Sequence, residues 1–189
     1  MITLNDVSFS YGEKRVLENF SLNIEKGDKI CLFGESGCGK TTVTRLILGL
    51  LKPDSGEILK DKSLKPSVVF QENLLLPFKS VLKNITLLGA DVKIAESNLE
   101  ALGIAEYKNS LPSSLSGGIE RRAAIARAIS QDFDFLILDE PFTGLDKENI
   151  LKAAELILKK AKNKPIILIT HSMLEAEILG CKIIEMKKN

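Results

Sequence analysis

The stretch Gly34-Glu35-Ser36-Gly37-Cys38-Gly39-Lys40-Thr41 decides how the rest of this 189-residue chain is read. It follows the short apolar run Lys29-Ile30-Cys31-Leu32-Phe33, a buried strand by its pattern. After it, Thr42 to Leu51 carries apolar residues at helical spacing until Pro53-Asp54-Ser55-Gly56 stops the pattern. A glycine-rich turn from strand to helix lets successive backbone N–H groups surround phosphate oxygens, and the helix N-terminus adds partial positive charge. Gly34, Gly37 and Gly39 permit that wrap, and Glu35, Ser36, Cys38 and Thr42 complete the segment expected to touch nucleotide. Lys40 is placed to reach the β- and γ-phosphates, and the Thr41 hydroxyl to ligate Mg²⁺. The expected ligands are therefore ATP and Mg²⁺.

Magnesium in such a site calls for a carboxylate, and the attacking water calls for an orienting group, both at the end of another parallel strand. The run Phe135-Leu136-Ile137-Leu138 ends in Asp139-Glu140. Asp139 is the expected metal group, directly or through water, and Glu140, beyond the metal shell, the expected base or water-positioner for γ-phosphate hydrolysis. Without the glycine loop, such an acidic pair would read as a helix cap.

Working outward, Val7, Phe9 and Tyr11 alternate with polar residues, as do Phe20, Leu22 and Ile24, which predicts two half-buried antiparallel strands. The runs 135–138 and 165–169, each followed by a helical pattern, predict parallel strands buried on both faces. From Gln71 to Asp132 the pattern is helical, at Val81 to Leu88, Lys93 to Leu102 and Gly117 to Ser130. Only Glu57 to Ser67 separates the Gly56 turn from the strand Val68-Val69-Phe70, so the small β-lobe is expected to be trimmed. The predicted architecture is a single α/β domain over 1–189. A mostly parallel core sheet is flanked by helices, with a small antiparallel β-lobe and a helical lobe inserted at about 72–131. The chain ends on Lys187-Lys188-Asn189 soon after its last strand, so no appended regulatory domain is expected.

Composition excludes several classes. At 44% hydrophobic the chain can build a core, and 26 Lys plus Arg against 25 Asp plus Glu leave no long-range field to attract nucleic acid or anionic lipid. Cys31, Cys38 and Cys181 lack the spacing of a disulfide framework or a zinc site, which fits a reducing cytoplasm. No signal-peptide pattern opens the chain and no uncharged apolar run approaches a membrane span.

Further motifs occur in one order along the chain: Val69-Phe70-Gln71-Glu72, Leu115-Ser116-Gly117-Gly118, Leu138-Asp139-Glu140-Pro141, Gly144-Leu145-Asp146 and Thr170-His171. With the phosphate loop, they resemble the ATP-binding subunit of an ABC transporter over essentially the whole chain. Ser116 suits an N-cap and Gly117-Gly118 leave backbone N–H groups uncovered at a helix start. By itself that is an ordinary capped helix. The resemblance implies that it closes on the γ-phosphate of ATP held by a second ATPase subunit, with Asp146 in the same composite site. It also implies that His171 contacts the γ-phosphate and orients the water with Glu140, and that Gln71 senses Mg²⁺ and the water. Taken alone, His171 would read as a structural residue and Gln71 as a solvated strand end. Tyr11 is either a strand residue or a ring stacked on adenine. Two departures stand out: Ile119 where the family usually has Gln, and Thr143-Gly144 in place of a commoner Ser-Ala.

The run Gln71-Glu72-Asn73-Leu74-Leu75-Leu76-Pro77 and the later Asp139-Glu140-Pro141-Phe142 resemble the ATPases of nitrate, sulfonate and taurine importers. The implied partners are transmembrane permease subunits, a second ATPase subunit and a solute-binding protein, with the chain on the cytoplasmic face of the membrane. A soluble ABC-type ATPase acting on DNA or ribosomes would call for a coiled-coil insert, a second cassette or a basic stripe, none of which is visible. A P-loop small-molecule kinase would leave Ser116-Gly117-Gly118 and His171 without roles.

Overall fold

The computed structural model describes residues 1–188. In chain order its strands are β1 (Ile2–Tyr11), β2 (Lys14–Ile24), β3 (Lys29–Phe33), β4 (Ser55–Lys60), β5 (Pro66–Val69), β6 (Phe135–Asp139), β7 (Ile166–Ile169) and β8 (Lys182–Glu185). Its α-helices are α1 (Lys40–Leu48), α2 (Val81–Thr86), α3 (Val92–Ala101), α4 (Gly117–Ile129), α5 (Lys147–Ala161) and α6 (Met173–Leu179). Five strands form a parallel sheet in the order β5-β6-β7-β3-β8, and three form an antiparallel sheet in the order β2-β1-β4. Between β5 and β6, which pair directly, the chain runs through α2, α3, α4 and two short 3-10 turns.

The parallel strands are apolar throughout because both of their faces are covered. In β6, Leu136 and Leu138 pack toward the helices while Phe135 and Ile137 pack toward α1 and the antiparallel sheet. In β7, Ile166 and Leu168 divide from Ile167 and Ile169 in the same way. All eight side chains are essentially buried, each contributing about 1.5–3 kcal/mol relative to exposure. The sheet centre is thus a firm platform for whatever its carboxyl ends carry.

Two local differences from the sequence expectation have simple causes. Helix α1 spans Lys40–Leu48 and stops short of Leu51, because Gly49 turns left-handed (φ +77°) and the last carbonyls bond back to it and to Leu50. β8 was not singled out by pattern: with four residues and polar ends, it is a half-buried edge strand recruited by β3. The antiparallel lobe has three strands, β4 pairing with β1, and β5 leaves for the parallel sheet. No described helix is long and apolar enough to cross a membrane.

Candidate functional site

Strand β3 delivers the chain into the glycine loop at Gly34, and α1 begins at Lys40 without a side-chain cap. Its first backbone N–H groups are therefore available to an anion. Two glycines are required, Gly34 by close approach to backbone and Gly39 by its left-handed conformation. A Cβ on Gly34 would lie 2.3 Å from the Met186 carbonyl oxygen, and one on Gly39 (φ +103°) would lie 2.9 Å from Leu17. Lys40 Nζ donates to the carbonyls of Gly34 at 2.7 Å and Glu35 at 2.9 Å, folding the ammonium over its own loop. Cys38 does not line the cavity: its side chain is buried beneath the loop, and its N–H donates to the Glu35 carbonyl at 3.3 Å.

The sheet order supplies the rest. β7 lies between β3 and β6, so Thr170-His171 at its end come to sit between the glycine loop and Asp139-Glu140. Such carboxyl ends are where open parallel sheets bind ligands. Asp139 Oδ2 is 3.4 Å from the Thr41 hydroxyl. Burial, and then the charge of Glu140, hold the Asp139 pKa above its usual value. Glu140 itself adopts a left-handed backbone (φ +47°) that costs a non-glycine residue about 1–3 kcal/mol, and its N–H bonds the Ile169 carbonyl at 2.8 Å. Its Oε1 accepts from His171 Nδ1 at 2.9 Å. The Thr170 hydroxyl donates to Glu175 Oε2 at 2.7 Å, with Glu140 Oε2 at 3.4 Å.

The Glu140 carboxylate raises the pKa of His171, first through this hydrogen bond and then through its charge. A raised histidine pKa favours the folded state below the unfolded value of about 6.5, and that contribution is lost as pH rises through the folded value. His171 is 80% exposed, so its weight in stability is small. The titration is nonetheless directly readable, because this is the only histidine. NMR of the nucleotide-free protein should give a His171 midpoint above 6.5 that drops in Glu140→Gln; a midpoint indifferent to that substitution would contradict the pair.

These groups wall a cavity of about 650 Å³ that contains most of the residues predicted from sequence. Gly34, Glu35, Ser36, Gly37, Gly39, Lys40, Thr41 and Thr42 line one side, and Gln71, Asp139, Glu140 and His171 the other. Tyr11 stands at the edge with its ring braced edge-on against Phe9, centroids 4.9 Å apart. Ser116, Gly117, Gly118 and Asp146 do not line the cavity. Ser116 and Gly117 are exposed at the start of α4, while the Asp146 carboxylate caps α5 by accepting from the Asn149 N–H at 2.9 Å. The two departures from the motif pattern are accommodated: Ile119 packs on the core, and Gly144 takes φ +78°, a conformation alanine would resist.

Sequence reasoning missed Lys14, Val16 and Thr143, which share the cavity wall, and Arg121. The first two carry no motif. Arg121 did leave a signal: it shares the inward face of α4 with Ala124, Ile125 and Ala128, where a cation has no place unless it is bonded.

Residues 17–143 match the ABC transporter family. The chain belongs to the ABC transporter family. It is 35% identical to the aliphatic sulfonates import ATP-binding protein SsuB 3 of Paraburkholderia xenovorans, over 98% of this chain and 76% of that protein. It is 37% identical to SsuB 1 of Paracoccus denitrificans, over 98% and 79% respectively. Among solved structures it resembles the dimeric ABC transporter cassette MJ0796, with a TM-score of 0.87, 30% identity and coverage of 99% and 94%. A post-hydrolysis dimer of that cassette bound to ADP and Pi matches with a TM-score of 0.85 and 29% identity. This ABC chain is accordingly an ATP-binding, ATP-hydrolysing cassette.

Proposed function

We propose that this ABC cassette powers solute import through separate permease subunits, hydrolysing ATP at an interface it completes with a second ATPase subunit. The observation that carries this reading is a division of labour within one chain. The phosphate loop, Asp139, Glu140 and His171 share one cavity, whereas the start of α4 lies outside it, with Ser116 and Gly117 exposed and Gly118 half-buried. An anion site without a ligand of its own chain fits a γ-phosphate held by a partner. Relatives named as sulfonate importers support import as the direction. A solute-binding protein then belongs with the permease, and the cassette sits at the cytoplasmic face of the membrane.

The chemistry assigned to each residue follows from its placement. Backbone N–H groups of the glycine loop and the Lys40 ammonium neutralise the β- and γ-phosphates. The Thr41 hydroxyl and the Asp139 carboxylate, 3.4 Å apart, are oxygen donors of the kind Mg²⁺ takes, with Gln71 on the same cavity wall. When bound there, that ion would offset phosphate charge as it builds in the transition state. Glu140 accepts the proton of the attacking water, and His171 holds the Glu140 carboxylate while facing the γ-phosphate. The ring of Tyr11 offers a face to adenine.

Purified protein should release phosphate from Mg-ATP with no acceptor added, and ATP should drive it from monomer to dimer on a sizing column. ADP production that requires a small-molecule acceptor would instead favour a kinase.

A further inference from the structure

Arg121 lies eleven residues before Asp132 on the buried face of α4 and is 2% exposed. Every hydrogen-bonding nitrogen of its guanidinium is used, and the acceptors fall into two groups. On one side Nε donates to the Pro141 carbonyl at 2.9 Å, and Nη2 donates to the carbonyls of Asp139 at 2.8 Å and Glu140 at 2.5 Å. Three successive carbonyls are thereby held around the left-handed turn at Glu140. On the other side Nη1 donates to the carbonyls of Phe70 at 2.6 Å and Gln71 at 3.3 Å, and to Asn73 Oδ1 at 3.1 Å. Two turns further along α4, Arg127 holds the next carbonyls of the same segment, Asn73 at 2.9 Å and Leu74 at 2.6 Å.

A planar fork with five N–H donors can span two separate strand ends, which a lysine ammonium cannot. Burial alone would lower the Arg121 pKa, and the nearby carboxylates of Asp139, Glu140 and Glu175 oppose that loss. The helix whose N-terminus is Ser116 is therefore bolted, through one side chain, both to the backbone of Glu140 and to the segment carrying Gln71. The phosphate loop makes no part of this link.

We propose that Arg121 is a positioning residue for hydrolysis: it fixes the backbone turn that aims the Glu140 carboxylate and makes that aim depend on the position of the Phe70–Leu74 segment and of α4. It acts on the hydrolytic step and leaves the phosphate loop untouched. The assignment of the step rests on the reading of Glu140 given above.

The test uses Arg121→Lys, which keeps a buried cation and helix propensity, and Arg121→Gln, both assayed as purified, folded protein. Expected is a fall in kcat of at least about 10-fold with KM for ATP within about 2-fold, since the aim of one group is lost and the phosphate loop is intact. The His171 NMR midpoint in nucleotide-free protein should fall in both variants, in the direction seen for Glu140→Gln, because the carboxylate that raises it is no longer held in place. Arg122→Gln is the control for a structural role: its guanidinium bonds Leu102, Asn149 and Gly118 on the same helix but none of the Glu140 turn, so its His171 midpoint should stay at the parent value. Arg121 variants with parent kcat and an unmoved His171 midpoint would overturn the proposal. So would a loss of kcat with His171 unmoved, which marks general damage. If Glu140→Gln itself keeps its turnover, the reading of Glu140 fails whatever Arg121 does; if Glu140→Gln is inactive and the Arg121 variants are unimpaired, only the present inference fails.

Discussion

Glu140→Gln is expected to bind Mg-ATP with near-parent affinity, to lose about 10²–10⁴-fold in kcat, and to accumulate as an ATP-bound dimer. The range is what a positioned general base typically contributes. Affinity survives because Glu140 contacts His171 and not the glycine loop, whose N–H groups and Lys40 carry phosphate binding. The substitution is nearly isosteric, and the backbone bonds that hold residue 140 to Ile169 and Arg121 do not involve its side chain. The fold and the left-handed turn should therefore persist, and a dimer that closes on ATP without cleaving it can reopen only by releasing intact ATP. Single-turnover phosphate release and size-exclusion chromatography with ATP are the measurements. Turnover near that of the parent would remove Glu140 from the role of base.

Lys40→Ala should fail differently. The ammonium is the one cationic side chain carried by the phosphate loop itself, so its loss removes charge-assisted hydrogen bonds worth about 1.5–3 kcal/mol, or about 10- to 150-fold in Kd for Mg-ATP. The same substitution deletes the bonds to Gly34 and Glu35 that fold the loop over itself, so the loop also loses part of its shape before nucleotide arrives. The variant should show weak nucleotide binding by titration and no ATP-dependent dimer, in contrast to the trapped dimer of Glu140→Gln. Unchanged affinity would argue against this loop as the phosphate site.

Much of the fold was legible because its signals are local. A continuous apolar run such as 135–138 can be stable only if both faces are covered, and alternation such as Phe20, Leu22 and Ile24 only if one face is. Helix ends and edge strands were less legible. The stop of α1 at Gly49 depends on a left-handed cap competing with apolar residues that continue to Leu51, and β8 becomes a strand because β3 offers it an unpaired edge. Cys38 shows the limit within a motif: residue type and spacing put it in the loop, but its side chain turns to the core, packed beside Gly34.

The sequence by itself determined the identity of the chemical groups: a loop that can wrap phosphate, an acidic pair after a buried strand, one histidine after another, and a glycine pair opening a helix. These need only residue type and spacing within a few positions. Tertiary structure decided which of them meet. The order β6-β7-β3 sets His171 between Lys40 and Glu140, residues separated by a hundred positions in the chain, and leaves Ser116 to Gly118 outside the cavity. It also turned Arg121, one cation among 26 basic residues, into the bond between α4 and the Glu140 turn. Strand order and the partners that a buried charge finds are properties of long-range packing, which no local pattern of residues encodes.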